Sequence, residues 1–295
     1  MKESLYSDKR INEVDGLSDC LERLIKRVEV SLNSDSMGKT YRRSLRDLCL
    51  YHQCLPDELE FEDIIDYLHS LQQRGLSWAK IKLDVAALRF YWKELLQDQA
   101  TASRIPYPKE DKTLPAVLSR EELKSLFSSC QNDKHRVILR LAYGSGLRRT
   151  EILNLRIADI ETEDGKCRLR IRKSKGKKDR YVVLSKKVLT ELREYFIACR
   201  PKEYLFNGMK KGERLSPGAI RHLLQVARKR SGIKKEFCLH TLRHSFASHA
   251  LEDGMSLMTL QHQMGHNSIQ TTMIYLHVSE VDVARAFSPL DNIEE

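Results

Sequence analysis

At 295 residues the chain exceeds one average domain, so two domains with separate cores are expected. Its 41% hydrophobic and 31% charged residues describe a soluble globular protein; no apolar run is long enough for a bilayer, and the N-terminus, MKESLYSDKR, lacks a signal-peptide pattern, so a cytoplasmic protein without a membrane partner is expected. Seven scattered cysteines with no Cys-x-x-Cys pair fit free thiols and argue against a disulfide framework. The formal charge of +10 is uneven: residues 1–104 carry 16 Lys+Arg against 18 Asp+Glu, and residues 105–295 carry 35 against 23, net +12. A field of that kind points to a nucleic-acid partner, because Lys and Arg contacts to phosphate release counterions. A solvated basic surface is the alternative.

The first domain, residues 1–104, reads as all-helical. Leu17, Leu21, Leu24, Ile25 and Val28 form one apolar stripe, and Tyr41, Leu45, Leu48 and Cys49 a second. Phe61, Ile64, Ile65, Leu68 and Leu71 form a third, and Val85, Leu88, Tyr91, Trp92 and Leu95 a fourth. Four such helices can share a small core. Their polar faces carry Lys39, Arg42, Arg43, Arg46, Lys80, Lys82 and Arg89, which either meet a DNA backbone or are simply solvated. Residues 105–116 then read as a linker, because the prolines of RIPYPKEDKTLP block helix and favour an extended chain.

The second domain, residues 117–295, opens with a helix started by Ser119 and Glu122 at capping-box spacing. A helix over 133–143 ends at Gly144-Ser145-Gly146, and Arg148 follows at the approach to a short helix over 150–155. Arg148 is a candidate phosphate ligand; the plainer reading is a surface arginine, with Glu151 a possible partner for it or for Arg149. From Ala158 the period changes to two. Asp164-Gly165 marks a tight turn, Cys167, Leu169 and Ile171 alternate with arginines, and Tyr181, Val182 and Val183 form the next strand of a small antiparallel sheet. The basic turn Lys173 to Arg180 between the last two strands can carry Lys175 into a groove, although such runs are usually just solvated. Helices over 186–199 and 217–230 follow, and the expected fold class is mostly α with a small antiparallel β-sheet.

The C-terminal stretch His240 to Tyr275 holds the densest chemistry. His240 and Arg243 lie one helical turn apart on a helix over 240–252, so both can reach one anion. Gly265 suits the left-handed residue that closes a helix over 256–264, and the following loop presents His266. Tyr275 lies in a polar setting (Thr271, Thr272, His277), which fits a working phenol better than a structural one. One arginine, two histidines and a tyrosine without a carboxylate suit an anionic phosphate.

Four segments together resemble the tyrosine recombinase, or phage integrase, family. YGSGLRRTEILNL (143–155) resembles its first arginine box, KGKKDRYVVL (175–184) its β-hairpin lysine segment, HTLRHSFASH (240–249) its His-x-x-Arg box, and QMGHNSIQTTMIYLHV (263–278) its Gly-His…Tyr box. The resemblance implies a helical core-binding domain ahead of an α+β catalytic domain. It implies that Tyr275 is the nucleophile, that Arg148 and Arg243 clamp the scissile phosphate, and that Lys175, His240 and His266 complete the site. His240 is then the candidate for the tyrosine proton, His266 a donor to the phosphate and Lys175 the acid for the departing 5′ oxygen. The implied partners are double-stranded DNA at specific recombination sites and three further copies of the chain in a synaptic tetramer, with no metal or nucleotide cofactor. The segment that integron integrases carry ahead of the His-x-x-Arg box is missing, which favours a Xer-like or mobile-element recombinase. After Tyr275, residues 276–295 hold one basic residue, Arg285, against five acidic ones, so this tail is expected to dock on a neighbouring subunit rather than on DNA; packing on its own domain is the alternative.

Three rival functions fit parts of the pattern. A metal-dependent hydrolase would use His240 and His244, or His262 and His266, but no third ligand or His-Glu-x-x-His glutamate is evident. A non-catalytic DNA-binding protein explains the charge and leaves the six site residues without a role. A type IB topoisomerase would use much the same site for DNA relaxation.

Overall fold

The computed structural model describes residues 8–109, 115–163, 166–172, 179–208 and 212–277. The chain divides into two compact units, Met1–Lys112 and Thr113–Glu295. In the first, the apolar stripes become α1 (Leu17–Leu32), α2 (Asp35–His52), α3 (Phe61–Gln73) and α4 (Trp78–Glu94). Leu17, Leu24, Leu45, Leu48, Ile64, Val85 and Leu88 are fully buried in one core, each contributing about 1.5–3 kcal/mol over an exposed position. Ser34 and Ser77 cap α2 and α4 by accepting the N–H groups of Met37 and Lys80.

Two features of this unit differ from the sequence reading. A fifth helix, α5 (Gln99–Arg104), follows α4, capped by Asp98 on the Thr101 N–H at 2.9 Å. The chain after it is also tied down: Ile105 is fully buried in the first core, and Trp78 Nε1 donates to the Pro108 carbonyl at 3.0 Å. The reason lies in Arg89, which donates to the carbonyls of Ala102 and Ser103 and lies over the Tyr107 ring. Arg89 thus stabilises the C-terminal end of α5. Several of the other basic side chains also have partners inside the unit, Lys39 with Asp35, Arg42 and Arg46 with Asp8, and Lys80 with the buried Asp84.

The second unit contains α6 (Arg120–Ser128), α7 (Asp133–Gly144), α8 (Arg149–Asn154), α9 (Lys186–Cys199), α10 (Pro217–Ser231), α11 (Leu239–Glu252), α12 (Leu257–Met264) and α13 (Gln270–Met273). The capping box of α6 is complete, with Ser119 and Glu122 exchanging side-chain and backbone bonds. Between α8 and α9 runs an antiparallel sheet of β1 (Ile160–Glu161), β2 (Arg168–Ile171) and β3 (Arg180–Val183), in that order. Leu169 pairs with Val182 and Ile171 with Arg180. Since paired residues share a face, Arg180 points with the apolar side chains into the interior. The expected turn at Asp164-Gly165 lies outside the described residues.

Helices α6 to α11 and the sheet enclose the main core of this unit. A smaller cluster of Phe246, Ala247, Ala250, Leu251, Leu260 and Met264 lies between α11 and α12, and Tyr275 belongs to it. Among the described residues no helix is long and apolar enough to cross a membrane.

Candidate active site

Arg148 is the N-cap residue of α8. Glu151, one turn on, accepts both its backbone N–H at 2.8 Å and its Nη1 at 2.9 Å, and the Gly265 carbonyl accepts from Nη2 at 2.9 Å. The guanidinium is thereby aimed while its side chain stays 25% exposed. The Gly146 backbone, at φ +60°, makes the preceding turn; a Cβ there would come within 2.5 Å of Phe246 Cδ1. The glycine therefore permits close packing of this turn against α11.

Arg243 is 1% exposed on α11 and donates to the Gly146 carbonyl at 2.5 Å, to the Met264 carbonyl and to His266 Nε2 at 3.1 Å. Burial, and then the neighbouring Arg148 charge, lower its pKa to about 10. It stays protonated at neutral pH, but its charge is undersatisfied: its hydrogen-bond partners among the described residues are dipoles, and the nearby carboxylate of Glu151 is shared by two other arginines. An anion placed against it would relieve that cost.

His266 is set by the end of α12. Gly265, at φ +61°, gives its N–H to the His262 carbonyl, and the His266 N–H reaches back to the Gln261 carbonyl, a Schellman closure. Because Arg243 can only donate, Nε2 of His266 accepts, which leaves the ring proton on Nδ1 to donate to Thr272 Oγ1 at 2.9 Å. Burial and the charges of Arg243, Arg148 and Arg180 push its pKa to about 4. In this arrangement His266 is an acceptor, so the donation to phosphate expected of it requires a proton on Nε2.

Tyr275, in the 3₁₀ turn Ile274–His277, is 2% exposed. The polar setting read from its sequence neighbours is corrected here: the ring packs in the apolar cluster between α11 and α12, because the turn directs it inward while Met273, Ile274 and Leu276 remain exposed. Its hydroxyl is 2.9 Å from Nδ1 of His244. His240, the residue expected at this proton, is exposed, and its ring lies edge-on to that of His244 at 4.8 Å. Desolvation, Arg243 and Arg148 lower the His240 pKa. The site thus brings Arg148, Arg243, His266 and Tyr275 together, with His240 next to His244; Lys175 and residues 278–295 of the tail lie outside the described residues.

Three participants were missed or undervalued in the sequence. Arg180 binds both Glu151 oxygens, at 2.9 and 3.1 Å, and the Gln263 carbonyl at 3.2 Å. Its signal was parity: it is two residues from Val182 and so on the same strand face. Gln263 bridges the elements, accepting the Val183 N–H and donating to the Ser145 carbonyl. His244 enters the sequence reading only as half of a metal pair; among the described residues no three His, Cys, Asp or Glu side chains converge as metal ligands. With neutral imidazoles, Arg148, Arg180 and Arg243 against Glu151 leave the site doubly positive, suited to an anion.

Residues 116–281 match the phage integrase family, and residues 20–102 match the phage integrase N-terminal SAM-like domain. The chain is 38% identical over 238 residues to tyrosine recombinase XerA of Pyrococcus furiosus, covering 79% of this chain and 81% of that one. It is 31% identical over 300 residues to tyrosine recombinase XerD of Listeria innocua, covering 93% and 99%. In fold it is similar to the XerH site-specific recombinase solved on its palindromic difH substrate, with a TM-score of 0.72 and 23% identity over 96% of this chain and 87% of that one.

Proposed function

Since the chain belongs to the phage integrase family, as a site-specific tyrosine recombinase of the Xer and integrase type, we propose that it cuts and rejoins double-stranded DNA at specific sites through a 3′-phosphotyrosine on Tyr275. The observation that carries this reading is the buried Tyr275 ring stacked at 6.4 Å on His266, whose Nε2 accepts from Arg243 at 3.1 Å, while Arg148 is held on the adjacent Gly265 carbonyl. Arg148 and Arg243 bind the non-bridging oxygens of the scissile phosphate, where guanidinium forks fit better than ammonium groups. The Tyr275 oxygen forms a bond to phosphorus as the bond to the 5′ oxygen breaks. Lys175 gives that oxygen a proton.

A 5′ hydroxyl from another strand then attacks the phosphotyrosine, giving its proton back to the Lys175 amine, and frees the phenol with new connectivity. Because one phosphodiester is exchanged for another, the bond energy is conserved and no ATP is required; the arginines supply the charge stabilisation. Exchange between two sites uses four copies of the chain in a closed assembly, acting on DNA in the cytoplasm. A nicked suicide duplex, which traps the covalent adduct, tests the reading. Wild-type protein is expected to accumulate adduct, and Tyr275→Phe to bind the duplex normally and form none; adduct at wild-type yield from Tyr275→Phe would remove Tyr275 from the nucleophile's role.

A further inference from the structure

We infer that His244, one residue beyond the phosphate-clamping Arg243, is the catalytic base that takes the proton from Tyr275 through Nδ1 and returns it when the phosphotyrosine is resolved. The inference rests on the recombinase reading above and assigns a residue to a step which the sequence motif had given to His240.

The geometry carries it. Nδ1 of His244 and the Tyr275 hydroxyl are 2.9 Å apart, within direct proton-transfer distance. His244 shares a helical face with Ala247 and Leu251, which belong to the cluster enclosing the Tyr275 ring, so the same packing places both partners. Their ring centroids are 5.6 Å apart, and His266 stacks nearly parallel to the tyrosine at 6.4 Å, fencing the phenol between two imidazoles. The Nε2 of His266 is already occupied by Arg243 and its Nδ1 by Thr272. His240 is exposed and meets the His244 ring.

The phenol needs such a partner. Burial raises the Tyr275 pKa against the lowering charges of Arg243 and Arg148, so the group is a weak nucleophile at neutral pH. His244 is neutral in the free protein, since burial and the neighbouring His240 and Arg243 push it down to about 4. It is therefore an open proton acceptor. A DNA phosphate bound between the arginines offsets their charge and moves His244 back toward its ordinary range, so substrate itself strengthens the base.

The proton balance is complete. In cleavage the phenolic proton passes to Nδ1 while the O–P bond forms, leaving an imidazolium. In rejoining that imidazolium protonates the departing tyrosine oxygen. The step adds no co-reactant.

The test replaces Tyr275 with a ring-fluorinated tyrosine, whose phenol ionises more readily and depends less on a base. With the natural tyrosine, His244→Ala is expected to slow adduct formation on the nicked duplex by about 10²- to 10³-fold, within the range for a lost general base. DNA binding and melting temperature serve as folding controls. With the fluorinated tyrosine the same substitution should cost less than about tenfold, since the nucleophile now approaches on its own. His244→Asn keeps hydrogen-bonding capacity without a titratable ring, should stay soluble if His244→Ala does not, and should be as slow. A defect of equal size with both nucleophiles, full activity of His244→Asn, or fluorine relief in His240→Ala instead of His244→Ala would overturn the assignment. Wild-type protein that forms no adduct at all would instead sink the recombinase reading.

Discussion

Arg180 and Glu151 meet fork to fork, Nη1 to Oε1 at 2.9 Å and Nη2 to Oε2 at 3.1 Å, and the same carboxylate holds Arg148. Both members of the pair are at least nine-tenths buried, at 6% and 9% side-chain exposure. Removing one partner from such a pair strands a buried charge, so Arg180→Ala is expected to cost about 3–5 kcal/mol, read as a lower denaturant midpoint. Replacing both, as Arg180→Met with Glu151→Leu, should recover most of that stability, because the desolvation of two ions is removed with them. Cleavage should stay impaired in the double variant, since Arg148 has lost the carboxylate that aims it. A single-variant cost below about 1 kcal/mol would show that this pair does not organise the site.

The two most strongly depressed imidazoles contribute to a pH dependence of stability. His244 and His266 fall from an ordinary 6.5 to about 4 in the folded chain, so between those values the unfolded state binds more protons and stability declines as pH is lowered. Glu151 acts lower down. Burial works to raise its pKa but is outweighed by the hydrogen bond and charge of Arg180 and by Arg148, so its contribution is present above the ordinary carboxylate value and is lost at more acid pH. Melting temperature should therefore fall from pH 6.5 toward 4 in wild type and fall less steeply in His244→Gln and His266→Gln. A wild-type profile that stays flat across that window would contradict the buried neutral histidines.

Gly265 is required twice, by its φ of +61° and by the Arg180 guanidinium, which a Cβ would approach to 2.8–3.0 Å. Gly232, at φ +69° after α10, has nothing within 4 Å of its Cβ position. Gly232→Ala should thus cost only the left-handed strain, about 1–2 kcal/mol, whereas Gly265→Ala should cost more and also slow cleavage by displacing Arg180 and the carbonyl that Arg148 uses. Equal melting shifts in the two variants would mean that Arg180 yields freely.

Much of the fold was legible because burial imposes periods. The stripes of α1 to α4 are fixed by a single shared core, and the alternation of Leu169 and Ile171 by a sheet with one buried face. α5 escaped because Gln99–Arg104 has almost no apolar stripe; what holds it is Arg89 on its terminal carbonyls, a tertiary contact. The site was legible where a residue's chemistry is unusual for its place, as with Arg243 among the apolar residues of α11. Arg180 looked like part of a basic turn because its partner Glu151 is 29 residues away. The setting of Tyr275 was misread for the same reason: its sequence neighbours are polar, and the cluster that encloses it comes from α11 and α12.

We propose that the acidic tail bears on assembly. Residues 276–295 pair an acidic surplus with the apolar set Val281, Val283, Ala284, Ala286 and Phe287, which suits docking on a protein groove better than on phosphate. Deleting the chain from Val281 onward should leave single-site binding nearly intact while weakening cooperative binding and strand exchange, measured by band shift and recombination on two-site DNA. A truncated protein that recombines two sites at the full-length rate would end that proposal.

Lys175 and the two clamp arginines can be separated by the atom each serves. If Lys175 protonates the departing 5′ oxygen, replacing that oxygen by sulfur supplies a leaving group that needs no proton, and Lys175→Ala should recover most of its lost cleavage rate on the sulfur substrate. If, as proposed, Arg148 and Arg243 act on the non-bridging oxygens, which the sulfur leaves unchanged, Arg148→Ala and Arg243→Ala should remain slow on both substrates. Arg243→Ala carries a second signature. Loss of its guanidinium frees Nε2 of His266 and removes the strongest of the charges that depress that ring, so the His266 pKa should rise, measurable by ring-proton titration. Arg148→Ala, which makes no such bond, should raise it less. A Lys175→Ala defect of the same size on oxygen and sulfur would move Lys175 from acid to DNA ligand and leave the source of the leaving-group proton to be sought among the histidines.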